Sequence, residues 1–578
     1  MRFQPQSIVI SIFLTLGLSA PALADQDDAI LTAMNKELAR SFAKLKSLGS
    51  APLYFLAYRI YDTQTTEVTA NYGSLTDDAE PAHNRILDVE LRVGSAKFDN
   101  THRSRESNVF QRLNMFDSLR NSMPLDNDER VIRMALWDKT DSAFKTAQNQ
   151  YATLKVNKDV SVEEEDTSDD FSNTKPITYY EKPDTLKIDR SELEARMRRL
   201  SVIYRKYPEI RNSSVSMTVS LTRRYLVNTE GSSIVDNTLQ YRFFSVAEAV
   251  ADDGMSVWLY DGAEGSSASD IPDEAKLAQM IEKLAAQVKQ LRVAQVAEPY
   301  AGPAILKSKA AGVFFHEIFG HRIEGHRQKD EDEGRTFTKL VGHRVMPSFI
   351  SVIDDPTCKR MANKELNGYY KFDAEGVPAQ KVVLVDKGIL KSFLMGRSPV
   401  KGFGSSNGHS RGAPGMPPVA RQGNLIVESD ETVPYAKLKE ELIAEVKKQG
   451  KPYGLIFDEI AGGFTMTQAF MPQVFALKPL RVWRVYPDGR PDELLRGCDL
   501  VGTPLASIER ILSAGDDLDV FNGTCGAESG PVPVSAVSPS LLVETIEVQR
   551  NHKDQNKPPI LPPPDQEKEP AKKAEARQ

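Results

Sequence analysis

The sequence predicts an α+β protein, with a mixed α/β N-terminal region followed by a β-rich C-terminal one. Two patterns carry this. Long segments of helical period fall mainly before residue 297, and short apolar runs punctuated by glycine dominate after it. The composition agrees: 578 residues, 40% hydrophobic and 26% charged, can build sizeable cores and exclude a collagen-like, disordered or polytopic membrane chain.

Residues 29–48 repeat Ile30, Leu31, Met34, Leu38, Phe42 and Leu45 at helical spacing, with Gly49 as a stop. Runs 52–61, 67–72 and 86–93 read as strands, the last alternating through Leu87, Val89, Leu91 and Val93. A helix is expected over 127–156, with Val131, Met134, Leu136, Trp137 and Phe144 on its apolar side. The acidic run Glu163, Glu164, Glu165, Asp166, Asp169 and Asp170 reads as a solvated loop. Ser191 and Glu194 suggest a capping box for a helix to about residue 207. Strands over 214–226 and 239–244 flank turn residues 228–231, and 273–296 is a charged, Leu-rich helix. Beyond it, strands are expected at 349–353, 381–385, 423–427, 455–457, 473–477, 480–486 and 541–549, antiparallel, with one helix near 436–449. The division is therefore 25–298 and 299–550, followed by a Pro/Lys/Glu-rich tail, 551–578, too poor in apolar residues to offset the entropy of ordering.

Residues 1–24 form a separate signal. Arg2, an apolar stretch over 8–20, Pro21 and Ala22-Leu23-Ala24 before Asp25 make the three-part pattern of a secretory signal peptide. The stretch is shorter than the ~20 residues a spanning helix needs. The expectation is an exported protein, in a bacterial periplasm, without stable membrane insertion. A net charge of −7, from 73 basic and 80 acidic residues, offers no electrostatic case for nucleic acid.

The chemistry concentrates around three of the eight histidines, His316, His321 and His326. His316-Glu317 opens like H-E-x-x-H, in which two histidines one turn apart hold zinc and the glutamate is general base. Here His321 comes one residue later than the motif requires. On a regular helix, residues five apart stand about 140° out of phase, against about 40° for four apart. A π-bulge would restore the phase, and Gly320 tolerates a distortion. The competing reading is histidines that are simply hydrogen-bonded beside Phe314, Phe315 and Phe319. His326, about 80° out of phase with His316, ranks as an alternative ligand below the cysteine considered next. The three cysteines are Cys358, Cys498 and Cys525. An odd count in an oxidising compartment suits one pair plus one metal ligand. Cys525, in a glycine-bounded turn, is the ligand candidate, which leaves Cys358–Cys498 as a candidate disulfide.

At these residues the chain resembles the TldD/PmbA family, once called modulators of DNA gyrase. The resemblance covers most of residues 25–548. It rests on His316-Glu317-Ile318-Phe319-Gly320-His321 with Glu324-Gly325, on Phe372-Asp373-Ala374-Glu375-Gly376 followed by Asp386-Lys387-Gly388, and on Asn522-Gly523-Thr524-Cys525-Gly526 with Gly530-Pro531-Val532-Pro533. The resemblance implies a zinc metalloprotease with one Zn²⁺ per catalytic chain, ligands His316, His321 and Cys525, and Glu317 as base. It also implies a C-terminal domain of curved antiparallel sheets, extended or unfolded peptides as substrate, and a dimer, either of like chains or with a related subunit. This chain keeps the metal motif, so it resembles the catalytic partner. Well-known members are cytoplasmic and lack the export signal.

Around such a site, Glu324 is expected to orient a ligand histidine. His409 and Arg411, in a glycine-rich stretch, are candidate oxyanion donors. The alternative from another class is a non-catalytic exported scaffold with a structural or vestigial metal site.

Overall fold

The computed structural model describes residues 28–77, 80–102, 121–158, 165–330, 332–471, 474–551 and 561. The expected signal peptide, Glu163, Glu164 and nearly all of the tail lie outside the described residues.

The N-terminal half is built on an eight-stranded sheet whose long central strands, Leu53–Asn71, Asn212–Asn228 and Ser233–Val250, pair antiparallel. The two runs expected at 52–61 and 67–72 are one continuous strand. Its period of two sends Leu56, Tyr58, Ile60, Val68 and Ala70 to the face covered by helices. The opposite face carries Phe55 and Arg59, which meet Arg397 and the Ala374 carbonyl of the C-terminal half. Helices Ala29–Leu45 and Glu129–Lys158 cover one end of the sheet, and Arg190–Ser201 and Glu274–Val293 the other. Asp28 and Asp273 start two of them by accepting hydrogen bonds from Leu31 N (3.1 Å) and Lys276 N (2.9 Å).

Three local expectations are corrected. The cap of Arg190–Ser201 is Asp189, which accepts from Glu192 N, not Ser191. Helix Glu129–Lys158 buries Ile132, Leu136, Phe144 and Ala147, whereas Val131, Met134 and Trp137 are exposed. The described part of the acidic loop is docked at Asp166 and Asp170, while Glu165 and Asp169 stay exposed as expected. Asp170 is buried against His102 (2.8 Å) and Lys329 (3.4 Å), and Asp166 accepts from Lys401 N at 2.8 Å.

In the C-terminal half, strands Gly454–Thr465, Tyr300–Leu306, Leu541–Arg550, Cys498–Gly502 and Phe475–Val485 pair in that order, and the last returns to the first. They close a ring, so none of the five is left as an edge. The strands expected at 473–477 and 480–486 are one strand within it. A six-stranded sheet stands beside the ring and ends in the hairpin Asp519–Ala527 / Gly530–Ser538. Both sheets are mixed, because Tyr300–Leu306 runs parallel to Gly454–Thr465, and Asn424–Ser429 parallel to Gly530–Ser538.

Helix Ser308–Ile318 lies between ring and sheet and is buried except at Lys309, with Phe314, Phe315 and Ile318 in the main core. Gly312 lets it seat closely: a Cβ there would stand 2.9 Å from the Ala536 carbonyl oxygen. Among the described residues no helix is long and apolar enough to cross a membrane.

Candidate metal centre

Helix Ser308–Ile318 delivers His316 and Glu317 in its last turn. The phase problem is solved by ending the α-helix rather than by a π-bulge. The chain tightens into a 3₁₀ turn, Gly320–Ile323, which carries His321 round to the same side as His316. A Cβ at Gly320 would stand 1.9 Å from Gln422 Oε1, so any side chain there would have to displace the buried Gln422 amide. The third group comes from the edge strand Asp519–Ala527, where Cys525 pairs with Val532 just before the hairpin turn. Cys525 is thus a strand residue, not part of the tight turn that the sequence suggested.

His316 Nε2 lies 3.2 Å from Cys525 Sγ, and His321 Nε2 lies 3.3 Å from it. The two imidazole rings are 5.0 Å apart and nearly perpendicular. All three side chains are buried, and one ligand atom from each lies within 4.8 Å of the others. Two imidazole nitrogens and a thiolate are a donor set suited to zinc. With the usual Zn–N and Zn–S lengths, a tetrahedral ion needs N···S separations of about 3.6 Å. The donors fit with a shift of a few tenths of an ångström.

The electrostatics favour a thiolate at Cys525, whereas His321 holds a proton that a bound ion would have to displace. Burial pushes the Cys525 thiol up, but the two imidazoles outweigh it and hold the thiol well below its usual range. Burial works against a charged His321, yet Cys525 and Glu324 carry its pKa well above the ordinary value. Glu324 is fully buried, with Oε1 3.3 Å from His321 Nδ1 and Oε2 accepting from Arg327 Nε at 2.9 Å. Burial raises its carboxyl, while His321, Arg327 and Arg421 win and bring it down to about 2.

Glu317 faces a cleft of roughly 1260 Å³ that also reaches His316, His321 and Cys525. One wall is the N-terminal sheet, with Ser216, Thr218, Arg242, Phe244, Trp258 and Tyr260. The other is C-terminal, with Val313, Ile460, Phe464 and Leu480. Phe244, Tyr260 and Trp258 form a ladder of rings at 5.4 and 6.1 Å.

Other expected residues fall elsewhere. His326 Nε2 engages Glu528, away from the triad, so it is not a fourth member. His409 is fully buried outside the cleft, held by Asp354 Oδ1 at 3.2 Å and by Asn407. Arg411 donates to the Gln422 carbonyl at 2.6 Å and stacks on Tyr370. Neither lines the cleft, so neither stands where an oxyanion donor is needed. The Cys358–Cys498 disulfide is not formed. Both thiols are free, Cys358 packing beside one apolar cluster while Cys498 lies within another, in the ring. Sequence reasoning missed Arg421 and Gln422, which touch Cys525 and the His316 carbonyl. They lie in no motif, and their spacing from the ligands carries no signal.

Residues 299–550 match the family model described as PmbA/TldA metallopeptidase C-terminal domain. A protein named "Metalloprotease" from Archaeoglobus fulgidus is 30% identical over 239 residues, covering 41% of this chain and 51% of the relative. A "Zinc metalloprotease TldD homolog" from Saccharolobus solfataricus is 23% identical over 257 residues, covering 43% and 52% respectively. The chain thus spans about half the length of these relatives. The crystal structure of TldE from Thermococcus kodakarensis superposes with a TM-score of 0.57 at 14% identity, covering 89% of this chain and 100% of that one, which shows a shared fold. Residues 299–550 are therefore similar to the C-terminal domain of the TldD/PmbA family, whose matched relatives are named metalloproteases.

Proposed function

We propose that the chain is a zinc-dependent peptidase of TldD type, acting on extended or unfolded peptides, with one ion per chain held by His316, His321 and Cys525. The observation that carries this reading is the convergence of two imidazole nitrogens and one thiol sulfur beside Glu317 at a deep cleft. Three protein ligands leave a position open, as catalytic rather than structural zinc sites do. When bound, zinc supplies Lewis acidity, polarising a carbonyl and lowering the pKa of water towards ~7.

The remaining chemistry belongs to the chain. Glu317 takes a proton from the attacking water on its carboxylate and returns it to the leaving amine nitrogen. Glu324 fixes the ring of His321 through Nδ1. The cleft exceeds the ~300–1,000 Å³ usual for small-molecule pockets, which favours a length of polypeptide as occupant. The N-terminal signal pattern supports export to a periplasm. The likeness to TldE supports a related subunit as partner, and the matched span supports a C-terminal unit that carries the metal site.

The test is zinc content and peptide hydrolysis of the mature protein beside Glu317→Gln, His321→Ala and Cys525→Ser. About one zinc per chain is expected in wild type and in Glu317→Gln, and loss of it in the other two. Hydrolysis should fall by at least ~10²-fold in all three variants. Zinc bound with no hydrolysis by the wild type on any unfolded peptide would favour the scaffold alternative.

A further inference from the structure

We propose that Arg421 is a positioning residue for the metal centre, a single guanidinium that ties the cysteine hairpin to the carboxylate behind His321. The inference rests on the zinc reading and adds a residue to it.

Arg421 is fully buried. Its Nη2 donates to Cys525 Sγ at 3.1 Å and to the Cys525 carbonyl at 2.8 Å. Its Nη1 donates to Ser529 Oγ at 2.8 Å and to the Gly530 carbonyl at 3.1 Å, on the far side of the same hairpin turn. Its Nε faces Glu324 Oε1 at 3.5 Å, the same oxygen that stands 3.3 Å from His321 Nδ1. One planar fork therefore grips both arms of the hairpin and reaches the group that orients the second ligand. The backbone is pinned as well: Arg421 N donates to the His409 carbonyl at 2.9 Å, and neighbouring Gln422 donates to the His316 carbonyl at 3.3 Å.

Arginine is suited to this task where lysine is not. Five donors in a fixed plane can serve a sulfur, two carbonyls and a hydroxyl together, whereas one ammonium cannot. The N–H···S bond also has an electronic consequence. A donor on a metal-bound thiolate withdraws charge from sulfur, so the thiolate gives less to the ion. Arg421 thereby sets both where Cys525 stands and how strongly it donates.

Cobalt(II) is the probe, because its thiolate charge-transfer band reports sulfur donation without any turnover. Full-length mature protein is titrated with cobalt beside Arg421→Lys and Arg421→Gln, with circular dichroism as the check on folding. Loss of positioning should outweigh the gain in sulfur donation, so both variants should bind cobalt about 10–100-fold more weakly, while the stronger donation moves the thiolate band to lower energy. If Arg421→Gln does not fold, Arg421→Lys, which keeps the buried charge beside Glu324, carries the test. Unchanged affinity and an unmoved band in folded Arg421→Lys would overturn the proposal. A wild-type titration without any thiolate-to-cobalt band would instead overturn the metal reading, and this proposal with it.

Discussion

Gly312→Ala offers a sharp test of how the site is assembled. Gly312 lies one turn before His316 on the same face of helix Ser308–Ile318. A Cβ there would stand 2.9 Å from the Ala536 oxygen, 3.2 Å from its carbonyl carbon and 3.3 Å from its Cβ. The obstacle is backbone of strand Gly530–Ser538, paired on both sides, so it cannot rotate away. Ordinary contact begins at 3.4 Å, so the helix must back off by about half an ångström. Overpacking of this kind costs about 1–3 kcal/mol, offset by the ~1 kcal/mol that alanine gains over glycine in a helix. The net expectation is a destabilisation of up to about 2 kcal/mol. In a unit of this size that is a fall of up to roughly 8 °C in melting temperature. His316 moves with the helix, away from Cys525, and zinc affinity should drop about tenfold, or ~1.4 kcal/mol. The assays are thermal melting and competition with a chromophoric chelator. Gly526→Ala is the control, since a Cβ there meets nothing within 4 Å although it adjoins Cys525. Gly312→Ala protein that melts and holds zinc like wild type would refute the reasoning. So would a destabilised variant with unaltered zinc affinity, because seating and ligation would then be uncoupled.

Three further outcomes are expected. On helix Glu129–Lys158, Leu136→Ala should cost about 2–5 kcal/mol and exposed Trp137→Ala within about 0.5 kcal/mol, read by denaturant melts; equal costs would show that the buried face has been misassigned. Glu90 is half-buried, and burial alone would raise its carboxyl, but Arg92 (2.9 Å) and Arg59 (2.8 Å) outweigh it and bring it down to about 2. A depressed carboxylate stabilises the fold above the ordinary pKa near 4.5 and loses that contribution as pH falls towards 2; melting temperature should therefore decline on acidification, and Glu90→Gln should be less stable at neutral pH with a flatter acid limb. Trp258→Ala, in the cleft wall opposite the triad, should raise KM for apolar peptides several-fold while leaving bound zinc at the wild-type level; an unchanged KM would remove the aromatic ladder from substrate binding.

The sequence by itself determined what depends on neighbours along the chain. Helical period marked Ala29–Leu45 and Glu274–Val293, alternation marked Ala82–Ser95 and Leu541–Arg550, and the adjacency of His316 and Glu317 marked a candidate metal motif. These features were legible because backbone geometry repeats over a few residues and side-chain direction follows it. Cys525 was legible only through its scarcity and its motif, since no local rule can bring a residue of an edge strand to a helix end. Tertiary structure alone decided how His321 is turned inward, because the chain leaves the α-helix after Ile318 for the 3₁₀ turn Gly320–Ile323, which packs against buried Gln422. It alone decided that Trp137 faces out and Ile132 in, because a helix with apolar residues on more than one side is oriented by what packs on it. It held Cys358 and Cys498 in separate surroundings, bound the acidic loop to Lys329 and Lys401, and set Arg421 against Cys525. Each of these is a contact between residues far apart in the chain. Such contacts are fixed by close packing and by the cost of leaving buried polar groups unpaired, and neither is written in local sequence period.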